Sequence, residues 1–291
     1  MSNIELIVEE READIGNFLV GRLLPFRKKR AVGPFVFIDH MGPEKLGPEQ
    51  NLDIDPHPHI GLSTITYLFE GQITHRDSMG VEQVIKPGAI NWMTAGKGVV
   101  HSERTPKELR GKSKTVHGMQ IWVALPKDKE KIDPSFHHFT SEEIPTWNKS
   151  NLDFKLIAGE FMNRKSPVPV FSKLYFVEIK AKEATELDLG DDLYGETALY
   201  ILDGAVTTEG QKFDPKQLLV AKSSNQCSIK LEANTTIYLF GGEPFPEERY
   251  IMWNFVSSDK QELQKAKEKW EAKEFEEIPG EKGRVPFPSS K

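Results

Sequence analysis

The segment Tyr67-Leu68-Phe69-Glu70-Gly71-Gln72-Ile73-Thr74 has a counterpart 133 positions later, Tyr200-Ile201-Leu202-Asp203-Gly204-Ala205-Val206-Thr207. In each copy an apolar strand runs into an acid-Gly turn and out into a second strand. Asp203-Gly204 reads as a hairpin turn, because a type I′ turn needs positive φ and Gly or Asp tolerates it. Working outward, 35–38, 83–85 and 119–123 join 64–69 as short segments rich in β-branched and aromatic residues. Beyond the middle of the chain the rhythm resumes at 174–180, 198–202, 218–221, 228–231 and 235–240. No helix of normal length fits between the strands of the first half, which points to an antiparallel sandwich or barrel rather than an α/β sheet. A strand rhythm repeated on both sides of a polar, Pro-punctuated stretch at 126–150 points to a duplicated β-barrel, with that stretch as linker plus one peripheral strand. Ser258-Asp259 then starts a charged helix over 258–274 whose apolar residues 263, 266 and 270 form one narrow face.

A chain of 291 residues suits two domains, read as 1–140 and 141–291, the second including the helix and an extended tail. A net charge of −6 argues against nucleic-acid binding driven by phosphate neutralisation. No run approaches the roughly 18 apolar residues of a membrane span. The N-terminus carries acids where a signal peptide carries an apolar core, so a cytoplasmic protein is expected. The single cysteine, Cys227, excludes an intramolecular disulfide and a multi-thiolate zinc site and reads as a small buried hydrophobe. All eight histidines lie at or before His138, which assigns histidine chemistry to the first half.

That chemistry centres on Asp55-Pro56-His57-Pro58-His59. Residues i and i+2 of a strand share a face, so His57 and His59 present two imidazoles side by side. His101-Ser102-Glu103 repeats the spacing. Two such pairs facing one barrel interior converge as three imidazole nitrogens and a carboxylate oxygen. This set suits a divalent ion of the iron, manganese, cobalt, nickel or zinc group. His75 and Asp77 read either as groups that orient a ligand of the site or as turn residues at a hairpin end. Gln120 and Trp122 share a strand face as pocket wall or core, and Trp92 and Met93 are further candidates for lining the cavity. His40 and His117 read as satisfied, partly buried histidines, His137-His138 as exposed linker residues, and Arg27-Lys28-Lys29-Arg30 as a solvated loop.

The ordered set Gly33-Pro34-Phe35, Phe37-Ile38-Asp39-His40, His57-Pro58-His59-Ile60-Gly61, His75-x-Asp77-Ser78, Trp92-Met93-Thr94-Ala95-Gly96-x-Gly98, His101-Ser102-Glu103 and His117-Gly118-x-Gln120-x-Trp122-Val123-x-Leu125-Pro126 resembles the N-terminal half of the pirins, two-domain members of the cupin superfamily. The resemblance implies an all-β protein of two cupin (double-stranded β-helix, or jelly-roll) barrels in tandem. It also implies one non-haem iron, Fe(II) or Fe(III), held in the N-terminal barrel by His57, His59, His101 and Glu103, with Mn, Co, Ni, Cu or Zn as substitutes. Some pirins cleave flavonols such as quercetin with dioxygen, which implies a quercetin 2,3-dioxygenase-like enzyme with Glu103 as catalytic base and a flavonol-like aromatic substrate. Other pirins regulate transcription factors or metabolic enzymes by contact, which makes a protein partner the alternative role. A monomer without nucleic-acid or membrane partners is expected. Shifting 57 and 59 by 133 lands on Gly190 and Asp192, so the second barrel is expected to lack the metal site.

Overall fold

The computed structural model describes residues 3–15, 18–224 and 228–288. Cys227 lies outside them. The chain is all-β apart from one α-helix, Lys260–Glu271, and three short 3₁₀ turns among the described residues. A sheet of seven strands runs in the spatial order Ser135–Phe139, Ile90–Thr94, Leu62–Glu70, Lys114–Ala124, Phe35–Leu46, Leu19–Leu24, Arg11–Asp14. Its companion has four strands, Asp53–His59, Val99–Arg104, Ile73–Asp77 and Glu82–Ile85. A second pair of sheets, of eight and four strands, repeats this plan in the later part of the chain. These are two cupin-type barrels: the strand rhythm implied a duplicated β-barrel, and the resemblance implied the cupin type.

The repeat has a structural cause. Leu62–Glu70 lies inside the seven-stranded sheet and leads through Gly71 to Ile73–Asp77 in the four-stranded one. Glu196–Asp203 leads through Gly204 to Val206–Thr208 in the same way. Both glycines have positive φ, +87° and +77°, and a Cβ would run into the Thr115 carbonyl at one and into Thr235 at the other. Only glycine turns these corners. The expected hairpin at Asp203-Gly204 is therefore corrected: the flanking strands do not pair with each other but enter different sheets. An acid-Gly step supplies positive φ equally well to a hairpin and to a barrel corner, and local sequence does not distinguish them.

Contacts divide the chain into two compact units, neither of them one continuous stretch. The described residues of Glu12–Gly21, Phe37–Ser141 and Pro246–Lys291 form one, and those of Met1–Arg11, Arg22–Val36 and Glu142–Phe245 the other. One switch between them falls at Ser141/Glu142, and the described residues toward each end of the chain join the other half's unit. Ile4–Glu9 pairs with Gln217–Ala221 in the eight-stranded sheet. The helix, read as part of the second domain, buries Leu263, Ala266 and Trp270 in a cluster with Val100 and Phe255 of the first-named unit. Its apolar spacing announced a buried face and left the partner open. The N-cap is Asp259, whose side chain accepts from the Gln261 N–H at 2.8 Å.

The second unit's interior is filled by Leu156, Val177, Leu199, Ile201, Ile237 and Leu239, with Leu187, Phe213, Ile229 and Leu231 opposite them. Gly190 and Asp192 lie on a 3₁₀ turn rather than on a strand.

Glu130 holds the returning C-terminal segment in the first-named unit. Its carboxylate accepts from the Ser257 hydroxyl at 2.8 Å and the Ser258 N–H at 2.7 Å, and pairs with the buried Arg249 at 3.2 Å. Removing one partner of a buried ion pair leaves an uncompensated charge, so Glu130→Ala will destabilise this unit by about 3 kcal/mol. Chemical denaturation of wild type and variant measures the difference.

Candidate functional site

His57 stands opposite His101 in the pairing of Asp53–His59 with Val99–Arg104. His101 stands opposite Asp77, and Glu103 opposite His75, in the pairing with Ile73–Asp77. Residues opposed across an antiparallel pair project to the same face. The four-stranded sheet thus offers His57, His59, His75, Asp77, His101 and Glu103 from one side. Ile54 rather than Asp55 opposes Glu103, so the Asp53–His59 strand carries one extra residue there, a bulge immediately before the histidine pair. All six side chains belong to residues that are less than a tenth exposed.

Hydrogen bonds order the protons. His57 Nδ1 lies 2.9 Å from the Asp55 carbonyl and His59 Nδ1 lies 3.1 Å from the Asn254 carbonyl. A carbonyl only accepts, so both Nδ1 atoms carry the proton and both neutral rings leave Nε2 bare. His101 Nδ1 faces His75 Nδ1 at 3.4 Å, and His75 Nε2 lies 3.0 Å from Asp77 Oδ2. With His75 donating to that carboxylate from Nε2, its Nδ1 accepts from His101, and His101 Nε2 is bare as well. Asp77 is fully buried, and its other oxygen accepts the Met79 and Val81 N–H groups at 2.9 and 3.1 Å. The His75–Asp77 pair thus orients His101 from behind, while Asp77 also opens the hairpin turn that leads to Val81, so both readings of the sequence hold for it.

One donor atom from each of His57, His59 and His101 lies within 4.8 Å of the others. His59 Nε2 and His101 Nε2 are 3.1 Å apart. Two bare lone pairs at that distance repel unless a cation lies between them, so the donor set fits a metal ion. Burial lowers His57 to about 4, against the opposing Asp55 carbonyl, and the nearby Arg104 cation lowers it further. Burial likewise holds His59 and His101 well below the ordinary imidazole value, with the charge of His57 adding to it. Neutral imidazole is the ligating form. Burial pushes the Glu103 carboxyl up to about 7, and among the described residues no hydrogen bond reaches it.

The seven-stranded sheet faces this cluster with a row of side chains in register, Phe136 opposite Met93, Met93 opposite Thr64, and Thr64 opposite Trp122. Both ends of the row touch imidazoles. The Trp122 ring is edge-on to His59 at 5.1 Å, and Phe136 stacks on His75 at 4.5 Å. Phe37 stacks on Trp122 at 3.9 Å. Gln120 shares the Trp122 face, as its spacing implied. Trp92 is a correction. One residue from Met93, it projects to the opposite face, where its indole N–H donates to Thr94 Oγ1 at 3.0 Å. His138, read as an exposed linker residue, is also corrected: it sits half-buried in an edge strand, 2.7 Å from Asn91 Oδ1, while its neighbour His137 is exposed. His40 and His117 lie 2.9 Å apart through their Nε2 atoms. Phe136, Asn91 and Thr64 escaped the sequence reading because single residues of these types in strands carry no local signature; period-2 alternation from Met93 reaches Asn91 alone.

Residues 17–123 match the family profile described as Pirin, and residues 176–276 match that of the Pirin C-terminal cupin domain. A pirin-like protein of Caulobacter vibrioides is 47% identical over 272 residues, covering 92% of this chain and 93% of its own. The chain belongs to the pirin family. Among solved structures, quercetin 2,3-dioxygenase from Acinetobacter baumannii superposes on this pirin with a TM-score of 0.91 at 34% identity, covering 98% of this chain and 95% of its own. A bacterial pirin from Escherichia coli, solved in complex with nickel(II), shares the fold at a TM-score of 0.65 and 18% identity, covering 82% and 99%. No helix among the described residues of this pirin is long and apolar enough to cross a membrane.

Two outcomes test the site in this pirin. The folded Glu103 carboxyl sits above its ordinary 4.5, so the stability of the metal-free protein that depends on its neutral form is present at low pH and is lost as pH rises through about 7. His57 runs oppositely, its contribution being lost as pH falls from 6.5 toward about 4. With chelator present, Glu103→Gln will therefore exceed wild type in stability above pH 7, by up to about 3 kcal/mol, and the gap will close toward pH 4.5. Thermal unfolding across pH measures it. Asp77→Asn will disturb the proton order behind His101 and weaken metal binding by roughly 10–100-fold, read by titration with nickel or zinc.

Proposed function

We propose that this pirin is a metal-dependent dioxygenase acting on a flavonol such as quercetin, with a single non-haem iron held by His57, His59, His101 and Glu103. The observation that carries the reading is the convergence of three buried, bare imidazole nitrogens, with Trp122 packed on His59 and Phe136 on the neighbouring His75. Its similarity to a quercetin 2,3-dioxygenase over nearly the whole chain supports the substrate class. A bound iron would take the flavonol hydroxyl oxygen as a ligand, lower that hydroxyl's pKa and supply the electronic coupling to dioxygen.

The chain's own residues do the rest. Trp122 and Phe136 stand at the two ends of a row that Met93 and Thr64 complete, a largely apolar wall along which a planar aromatic ligand would lie. Glu103, raised toward neutrality by burial, is suited to accept the hydroxyl proton at its carboxylate oxygen. His75 and Asp77 hold His101 in one tautomer and leave Nε2 free to ligate. Burial of the six polar side chains keeps bulk water from the reacting ring.

Metal analysis of the purified full chain combined with oxygen uptake against quercetin tests this. Wild type will carry about one ion per chain and consume oxygen with the flavonol. His101→Ala will lose metal and turnover together. Glu103→Gln protein reloaded with iron will lose roughly 10²–10⁴-fold in turnover. Iron-loaded wild type that consumes no oxygen with quercetin, or a His101→Ala protein that keeps both metal and activity, would overturn the assignment.

A further inference from the structure

The strand register that aligns Phe136, Met93, Thr64 and Trp122 aligns a second row one step further from the imidazoles. His138 opposes Asn91, Asn91 opposes Thr66, and Thr66 opposes Gln120. Two residues along a strand separate the rows, roughly 7 Å. The first row is aromatic and apolar apart from Thr64; the second is polar throughout. Beyond it Leu68 and Ala89 belong to an apolar cluster that closes this end of the barrel.

The second row is bonded in pairs with a gap at its centre. His138 Nδ1 lies 2.7 Å from Asn91 Oδ1, and the Thr66 hydroxyl donates to Gln120 Oε1 at 3.0 Å. Asn91 is 3% exposed, and its Nδ2 has no hydrogen-bond partner. Reversing the amide would bring Nδ2 to His138 and leave Oδ1 alone instead, so one polar atom of Asn91 is unpaired in either orientation. A buried unpaired amide is costly, and an apolar residue such as those at 89 and 93 would pack in its place without that cost. Such an amide is completed by a buried water or by an atom of a ligand.

We propose that this second row is a hydrogen-bonding shelf for an oxygen substituent on an aromatic ligand, at the end remote from the imidazoles, with the Asn91 carboxamide as the contacting group. The inference rests on the barrel interior being the ligand chamber and deepens the proposed function. The aromatic row holds the ring, and the shelf selects ligands whose far end carries a hydroxyl or carbonyl oxygen. A site built to hydrogen-bond a substrate oxygen discriminates against the analogue lacking it, because its own polar group is then left unpaired.

Quercetin and 3-hydroxyflavone share the hydroxyl that would meet the metal, and only quercetin carries hydroxyls on its outer rings. Their binding to the iron-loaded full chain, followed by tryptophan fluorescence under anaerobic conditions, tests the shelf. Wild type will bind quercetin about tenfold tighter than 3-hydroxyflavone, the size of one net hydrogen bond. Asn91→Leu will bring that ratio close to one with metal content unchanged, and the smaller change Asn91→Ser, which reaches less far, will reduce it. A wild-type ratio near one, no binding of either compound, or variants that keep the wild-type ratio would overturn the proposal and leave Asn91 a structural residue. Oxygen uptake is scored separately. Discrimination without uptake keeps the shelf and removes the oxygenase, whereas uptake without discrimination keeps the oxygenase and removes the shelf.

Discussion

Three bare imidazole nitrogens turned toward one point, out of reach of bulk water, form the arrangement on which the rest of this structure depends. Left alone, lone pairs at 3.1 Å repel, and protonation would relieve the repulsion in water. Burial blocks that escape by holding His57, His59 and His101 neutral. The rings therefore have to be held from outside, and each is. Asp55 holds His57 through its carbonyl, Asn254 holds His59, and the His75–Asp77 pair holds His101. The Asn254 carbonyl reaches the site because the returning C-terminal segment is anchored on Glu130. A glutamate 124 positions from Asn254 and 71 from His59 thus takes part in orienting that histidine.

The two sheets of this barrel divide the work. The four-stranded sheet supplies ionisable groups, all from one face, and the seven-stranded sheet supplies flat apolar walls and then a polar row. Alternation makes this division possible, since each strand sends every second residue inward and the others into packing on the far side. Trp92, buried on that far side, shows the same rule from the other direction. The second barrel keeps the framework and spends its interior on leucine, isoleucine, valine and phenylalanine. Compared within one chain, the two interiors show that the fold itself asks only for inward-facing residues of suitable volume.

The converging histidines were legible because their relations along the chain are local. His57 and His59, and likewise His101 and Glu103, are two apart on single strands, so each same-face pair follows from strand geometry once the strand is recognised. His75 and Asp77 obey the same spacing, but a strand and a hairpin tip fit those residues equally well, and only pairing with Val99–Arg104 placed them behind His101. Asn91 and His138 were not legible. They meet across two strands 47 positions apart, and neither residue type announces burial. The Asp203-Gly204 corner was read as a hairpin for a related reason: positive φ is a local property, whereas the sheet a strand joins is not.

The sequence by itself determined the β class, the duplication, the confinement of histidine chemistry to the first half and the two same-face pairs, because periodicity, turn residues and residue type are written along the chain. Tertiary structure alone decided which pairs converge, which way each imidazole carries its proton, which half each chain end joins and where the unpaired amide of Asn91 sits. Proton order depends on which acceptor lies within about 3 Å of each ring nitrogen. That acceptor came from a residue two away for His57 and 195 away for His59. Separations of that second kind are set by packing, and packing is what a sequence read strand by strand does not contain.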